Sequence, residues 1–193
     1  MIIVGAGSAG KESSGMLMQD SDEDFVFFDQ NYIGDKIWNK YTVITNIEVL
    51  EKILKENPYF CVAIGQPRKR EKLFNLLIES NAVPKNLISK SANLLSFIPQ
   101  NGTIIQPGVC ISYDVSIGKS CFIHANSVIG HKAEIGDFVN ISPLCSIIGP
   151  CKIGDYSYIG AGSIVMPNMS LGKNTFITPG STVNRDIKDC ETF

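Results

Sequence analysis

The sequence predicts a two-part chain. Residues 1–85 form an α/β unit around a small parallel sheet, and residues 86–193 form a parallel β-helix of hexapeptide repeats. Three observations carry this reading. The first part alternates short apolar runs with helix-like stretches. The second part places an aliphatic residue at every sixth position. An aliphatic-Gly pair then recurs every 18 residues, which sets the length of one coil.

In the first part, Ile2–Val4 reads as a strand, Gly5-Ala6-Gly7-Ser8-Ala9-Gly10 as a turn, and the residues to about Gln19 as a helix. Phe25–Phe28 is a second apolar strand, ending at Asp29. Asn46 caps a helix through Lys55, with Glu48 in its first turn, and Pro58 stops it. Phe60–Ile64 is a third strand, followed by Gly65. A last helix runs from about Pro67 to Glu79, with Leu73, Leu76 and Leu77 on one face. The β-α-β-α-β-α order implies a parallel sheet.

In the second part, every sixth residue from Ile105 to Val183 is Ile, Leu or Val, fourteen positions in all. Two residues before each stands a small or β-branched residue, from Thr103 to Ser181, Met169 excepted. Cys121, Cys145 and Cys151 fall in this second register, where a buried thiol acts as a small hydrophobe. Ile117-Gly118, Ile135-Gly136, Ile153-Gly154 and Leu171-Gly172 recur every 18 residues. Three hexapeptides therefore make one turn of a triangular coil, regular over 103–184, with glycine suiting corners of unusual backbone angles. Stacked coils lie roughly 4.8 Å apart, the spacing of neighbouring strands.

Composition excludes several classes. Nineteen acidic against 17 basic residues give a net charge of -2, with no basic excess to hold nucleic acid or a membrane surface. No apolar run approaches the ~18 residues of a membrane span. The opening Met1-Ile2-Ile3-Val4-Gly5 lacks the charged start of a signal peptide, which predicts a cytoplasmic protein with reduced thiols. The six cysteines form no C-x-x-C pair, and no metal site is expected.

The two halves together resemble the hexapeptide-repeat sugar acetyltransferases of the sialic acid O-acetyltransferase and UDP-4-amino-sugar N-acetyltransferase group (NeuD/PglD type). The carriers are Gly5-Ala6-Gly7-Ser8-Ala9-Gly10, Asp29, Ala63-Ile64-Gly65 with Arg70, Ser127-Val128-Ile129-Gly130-His131, and Gly160-Ala161-Gly162 leading to Met166-Pro167-Asn168. The resemblance covers nearly the whole chain. It implies a Rossmann-like first domain that binds a nucleotide sugar, a left-handed β-helix, and a homotrimer with acetyl-CoA lying in the groove between adjacent β-helices.

Acetyl transfer to an amine or hydroxyl needs a base, a donor for the developing oxyanion, and a way to hold both reactants. The resemblance puts His131 at the family's catalytic histidine, as general base; read from the residues alone, it is an exposed coil-corner histidine before it is a catalytic one. The family usually follows this histidine with Asp or Glu, and this chain has Lys132, whose ammonium disfavours imidazolium. Glu134 stands two residues on. A second polar position, often histidine in relatives, is Asn140 here. Gly149 sits one coil after His131; by resemblance its N–H is the candidate oxyanion donor, and from the residues alone it is a plain corner glycine. His124 aligns with Ser142 and Gly160 along the stack and reads as groove-lining, toward CoA or simply at a corner. Gly160, Ala161 and Gly162 let pantetheine approach the backbone, or satisfy corner geometry.

For the nucleotide sugar, Gly5, Gly7, Ser8, Ala9 and Gly10 present N–H groups at a helix start, which suits a pyrophosphate. Asp29 would read as a ribose ligand of NAD in a dehydrogenase, but the first half is too short for a full dinucleotide fold. Gly65 and Arg70 complete the set by resemblance; Arg70, beside Arg68 and Lys69, also fits a solvated helix face.

The expected function is therefore acetyl-CoA-dependent acetylation in surface glycan biosynthesis. The acceptor is an amino sugar, such as a nucleotide-linked 4-amino-4,6-dideoxy sugar, or a sialic acid. The competing reading is a non-catalytic trimeric β-helix that binds a sugar nucleotide or a partner, which Lys132, Asn140 and the divergent tail Arg185–Phe193 favour. A zinc carbonic anhydrase on the same coil needs three histidines, and the chain has two.

Overall fold

The computed structural model describes residues 1–20 and 24–193. The first part holds β1 (Ile2–Val4), α1 (Ser8–Asp20), β2 (Val26–Phe28), β3 (Lys36–Ile37), β4 (Tyr41–Ile44), α2 (Ile47–Glu56), β5 (Tyr59–Val62), α3 (Pro67–Glu79) and β6 (Val83–Pro84). They form one sheet in the order β3-β4-β2-β1-β5-β6. All its pairings are parallel except the edge pair β3–β4. The sequence reading has no strand between Asp29 and Asn46. There β3 and β4 form a hairpin whose turn residues Trp38 and Asn39 take positive φ, in a run without clean alternation. The Asn46 cap is as expected, its side chain accepting from the N–H groups of Glu48 and Val49. In α3 the buried face is Phe74 and Leu77; Leu76 is exposed.

Strand alternation sends side chains to the two sheet faces. Ile3, Phe27 and Cys61 join a cluster with Leu87, Ile104 and Phe122, so this face packs on the coil. Ile2, Val4, Phe28 and Phe60 face α2 and α3, meeting Leu50, Leu54, Phe74 and Leu77.

The second part is a parallel β-helix with three faces. The first face stacks strands 87–88, 104–105, 122–123, 140–141, 158–159 and 176–177; the second stacks 93–94, 110–111, 128–129, 146–147, 164–165 and 182–183. The third stacks 116–117, 133–135, 151–153 and 170–171. From Ile105 to Val183 the sixth-residue aliphatics fill a single core. The coil extends past the regular hexads at both ends. Leu87 pairs with Ile104 and Asn93 with Cys110, an offset of 17, while Leu171 pairs with Ile187 and Phe176 with Thr192, an offset of 16. The shortened offsets hide these coils from a six-residue count. The tail thus adds a further coil, closed by Thr178 N–H on the carbonyl of Phe193 at 2.9 Å.

The small register has a polar function as well as a steric one. Thr103, Cys121, Ser127, Cys145, Ser157 and Ser163 donate to the carbonyls of Gly118, Gly136, Ser142, Gly160, Gly172 and Thr178. Two cysteines thus do what serine does elsewhere in the ladder. No disulfide joins the six cysteines, and burial pushes the Cys121 thiol up to about 12 and that of Cys151 to about 11.

The corner glycines require a correction. Gly118, Gly136, Gly154 and Gly172 do not take positive φ; Asp114, Ser120, Asn126, Lys132 and Phe138 are among the residues that do. These glycines are needed because a Cβ would strike the next coil, as Gly118 would meet the N of Asp137 at 2.6 Å. Among the described residues, no helix is long and apolar enough to cross a membrane.

Candidate functional site

A cleft of about 570 Å³ opens at the carboxyl ends of β1, β2 and β5. Gly5, Gly7, Ser8, Ala9, Asp29 and Gly65 line it, with Lys69 and Lys72. Helix α1 begins at Ser8, so the first turn of the helix opens onto the cleft. Gly5 has φ of +104°, and a Cβ there would press on the carbonyl of Ala63 at 2.9 Å. Gly7 faces open space. Asp29 is held by two backbone donors, Ala6 N–H at 3.0 Å and Asn31 N–H at 3.1 Å. Gly10 is corrected from ligand to packing residue: it is buried in α1, and any Cβ would overlap the carbonyl of Gly5.

Arg70 is also corrected. It is neither on a solvated face nor open to a phosphate, being 0% exposed. All five of its N–H groups go to carbonyls: Nε to Ser120 at 2.6 Å, Nη1 to Ile64 and Gly65, and Nη2 to Phe138 and Val139. It pins α3 to the coil, and burial brings its pKa down to about 10. Arg68, not Arg70, is exposed, lying over the ring of Tyr156 at 3.6 Å.

His124 and Asn140 meet where the first part joins the coil. His124 follows the strand 122–123, its ring stacked on Phe122 at 4.0 Å. Its Nδ1 lies 3.2 Å from Gln106 Oε1 and its Nε2 3.4 Å from Asn140 Oδ1. The other end of the Asn140 amide lies 3.4 Å from Ser142 Oγ. Burial lowers the pKa of His124, with the charge of Glu12 opposing. Sequence reading follows this column from His124 to Ser142 and Gly160 but not one coil back to Gln106. The bond from Gln106 to Glu12, 94 residues away, has no local signal.

His131 stands at the next corner, between the second and third faces, stacked on Tyr113 at 5.4 Å. Its Nδ1 is buried and has no hydrogen-bond partner. Lys132 follows it, exposed, at φ of +58°. Glu134 does not support the imidazole; its carboxylate pairs with Lys152 at 3.0 Å. Gly149 packs directly above, where a Cβ would overlap the His131 carbonyl oxygen. Gly160 lies above the His124 corner, with Ala161 and Gly162 exposed beside it and Gly162 at φ of +70°. Gly160 is buried, and its Cβ would meet the N of Pro179 at 2.5 Å. The expected trio is therefore split within one chain. His131 and Lys132 share one corner, while Asn140 starts a strand of the first face beside His124.

Residues 1–77 match the model of the PglD N-terminal domain and residues 105–191 that of the GMPPB C-terminal domain. Over 183 residues the chain is 32% identical to GDP-perosamine N-acetyltransferase of Escherichia coli O157:H7, spanning 88% of this chain and 80% of that protein. The chain belongs to the NeuD/PglD-type sugar acetyltransferases. This acetyltransferase is also similar to galactoside O-acetyltransferase of Escherichia coli, at 26% identity over 74% of this chain and 82% of that one. Its fold matches PerB from Caulobacter crescentus, solved with CoA and GDP-perosamine. The TM-score is 0.87 at 24% identity, over 97% of this chain and 90% of that one. It also matches the acetyltransferase domain of PglB from Neisseria gonorrhoeae, solved with acetyl coenzyme A. There the TM-score is 0.86 at 22% identity, over 99% and 93% of the two chains.

Proposed function

We propose that this acetyltransferase moves an acetyl group from acetyl-CoA to the amine of a nucleotide-linked 4-amino sugar. The observation that carries the reading is the kinship with GDP-perosamine N-acetyltransferase over most of both chains. The cleft at Gly5–Ser8 supports it, since the N–H groups of a helix start suit a pyrophosphate. So does His131, whose buried Nδ1 lacks a partner.

In this scheme the amine attacks the thioester carbonyl, a C–N bond forms, and the C–S bond breaks. His131 takes the proton that the nitrogen loses and passes it to the departing thiolate, which leaves as free CoA. The Gly149 N–H is the donor assigned to the oxyanion. The coil is taken as left-handed and the assembly as a homotrimer. Tyr113, Val128 and Ile148 are exposed apolar side chains near the His131 corner, with Leu144 exposed at the neighbouring corner, and a second copy covers them. That copy would bring its own Asn140 and cleft to His131. The compartment proposed for it is the cytoplasm, where thiols stay reduced.

The test is incubation with acetyl-CoA and a panel of GDP- and UDP-linked 4-amino sugars and free sialic acids, read by mass spectrometry. The expected product is one nucleotide amino sugar heavier by a single acetyl group. Acetylated sialic acid would move the acceptor to oxygen. No acetylated product, with nucleotide sugar still bound in calorimetry, would replace the enzyme by a sugar-nucleotide-binding scaffold.

A further inference from the structure

The Gln106 side chain is tied at both ends. Its Nε2 donates to the Glu12 carboxylate at 3.4 Å, and its Oε1 accepts from Ala125 N–H at 3.0 Å. That orientation leaves only an acceptor facing His124 Nδ1, so Nδ1 carries the proton. In the neutral ring, Nε2 is then a bare lone pair. Placed with Oδ1 toward Nε2, Asn140 would oppose two acceptors at 3.4 Å. Amide oxygen and nitrogen are assigned from their network, and here the network turns the Asn140 NH₂ to Nε2 and its oxygen to the Ser142 hydroxyl.

The same end of Asn140 faces Gly65, a residue of the Gly5–Ser8 cleft wall, where a Cβ would sit 3.9 Å from it. Gly65 lines that cleft and also a second one of about 510 Å³ beside Tyr156 and Tyr158. We propose that His124 is a positioning residue: its Nε2 holds the Asn140 NH₂ at the Gly65 end of the cleft, where the second N–H meets an oxygen of the bound sugar nucleotide. The proposal rests on the nucleotide-sugar reading above. It gives His124 a different function from groove-lining toward CoA.

A consequence follows for acid. Protonated His124 has an N–H at Nε2, so Asn140 must turn its oxygen there, and the donor at Gly65 is lost. Glu12 from α1 favours the imidazolium and Arg70 from α3 opposes it; Gln106 and Asn140 are the uncharged polar neighbours, and Phe122 stacks on the ring.

The experiment uses the full chain labelled with ¹⁵N. Imidazole nitrogen shifts at pH 7.5 should show His124 as the Nδ1–H tautomer, and Gln106→Leu should release that preference. Calorimetry with a GDP-linked 4-amino sugar should show wild-type affinity falling roughly tenfold on acidification through the His124 titration, about one hydrogen bond. His124→Asn, which cannot titrate, should show no such step. An Nε2–H tautomer in the wild type, or the same acid step in both proteins, overturns the proposal alone. An Nδ1–H tautomer with no binding of any GDP- or UDP-linked amino sugar overturns the nucleotide-sugar reading, and the assigned contact with it.

Discussion

The Arg70 guanidinium donates to the carbonyl of Ser120 at 2.6 Å, joining a helix of the first part to a corner of the coil. With its other four N–H groups on Ile64, Gly65, Phe138 and Val139, Arg70 fixes Gly65 relative to the coil. The Gly5–Ser8 cleft and the His124–Asn140 pair meet at Gly65. Lysine has three donors and no fork, so Arg70→Lys leaves at least two of these carbonyls unserved. A loss of roughly 3 kcal/mol or more is expected. For a chain of this length that is a fall in Tm of about 6–12 °C. A melting curve unchanged from wild type would show the pin to be dispensable.

The thiol ladder makes a different prediction. Cys145 Sγ donates to the carbonyl of Gly160 at 3.1 Å, the role Ser127 and Ser163 fill in other coils. Cys145→Ser should therefore stay close to wild type, while Cys145→Val should lose about 0.5–1.5 kcal/mol by removing one of the two donors to that carbonyl, leaving it the Ser163 N–H alone. Urea midpoints measure both. Equal losses would mean that the thiol matters only by its volume.

Gly149 allows no side chain, because a Cβ would overlap the carbonyl of His131. Gly149→Ala should cost about 1–3 kcal/mol and move the His131 corner. The expected kinetic result is a fall in kcat with little change in the affinity for sugar nucleotide, since the cleft at Gly5–Ser8 lies elsewhere. Weaker nucleotide binding with an unchanged kcat would argue against this arrangement.

Burial lowers the pKa of His124 below that of a free histidine. Between the lowered folded value and the ordinary value near 6.5, the unfolded chain binds a proton that the native chain does not. Stability should therefore fall as pH drops through that window. His124→Gln should lack this component. Denaturant midpoints of the two proteins across pH 5–7.5 would show it as a difference between curves, and parallel curves would contradict it.

The sequence revealed the coil because one aliphatic residue in six must fill a narrow triangular core, from Ile105 to Val183. It revealed α2 and α3 because Asn46 and Pro67 mark their starts. It did not reveal β3 and β4, which are short and pair at the edge of the sheet. The outer coils escaped because their offsets shorten to 17 and 16. Site residues divide in the same way. Gly5, Gly7 and Asp29 are local to one turn and line the cleft together. The burial of Arg70 is hidden because three of its five partners, Ser120, Phe138 and Val139, lie on segments that only the tertiary fold brings to α3. Periodicity aligned His124 with Ser142, but nothing local points from Gln106 to Glu12.

The most direct test of the account is CoA thiol release by wild type and His131→Ala, with a GDP-linked 4-amino sugar as acceptor and its affinity measured on the same samples. The account predicts that the variant binds the sugar nucleotide as wild type does but turns over about 10²–10⁴-fold more slowly. A variant that releases thiol at the wild-type rate would contradict it and remove His131 from the chemistry.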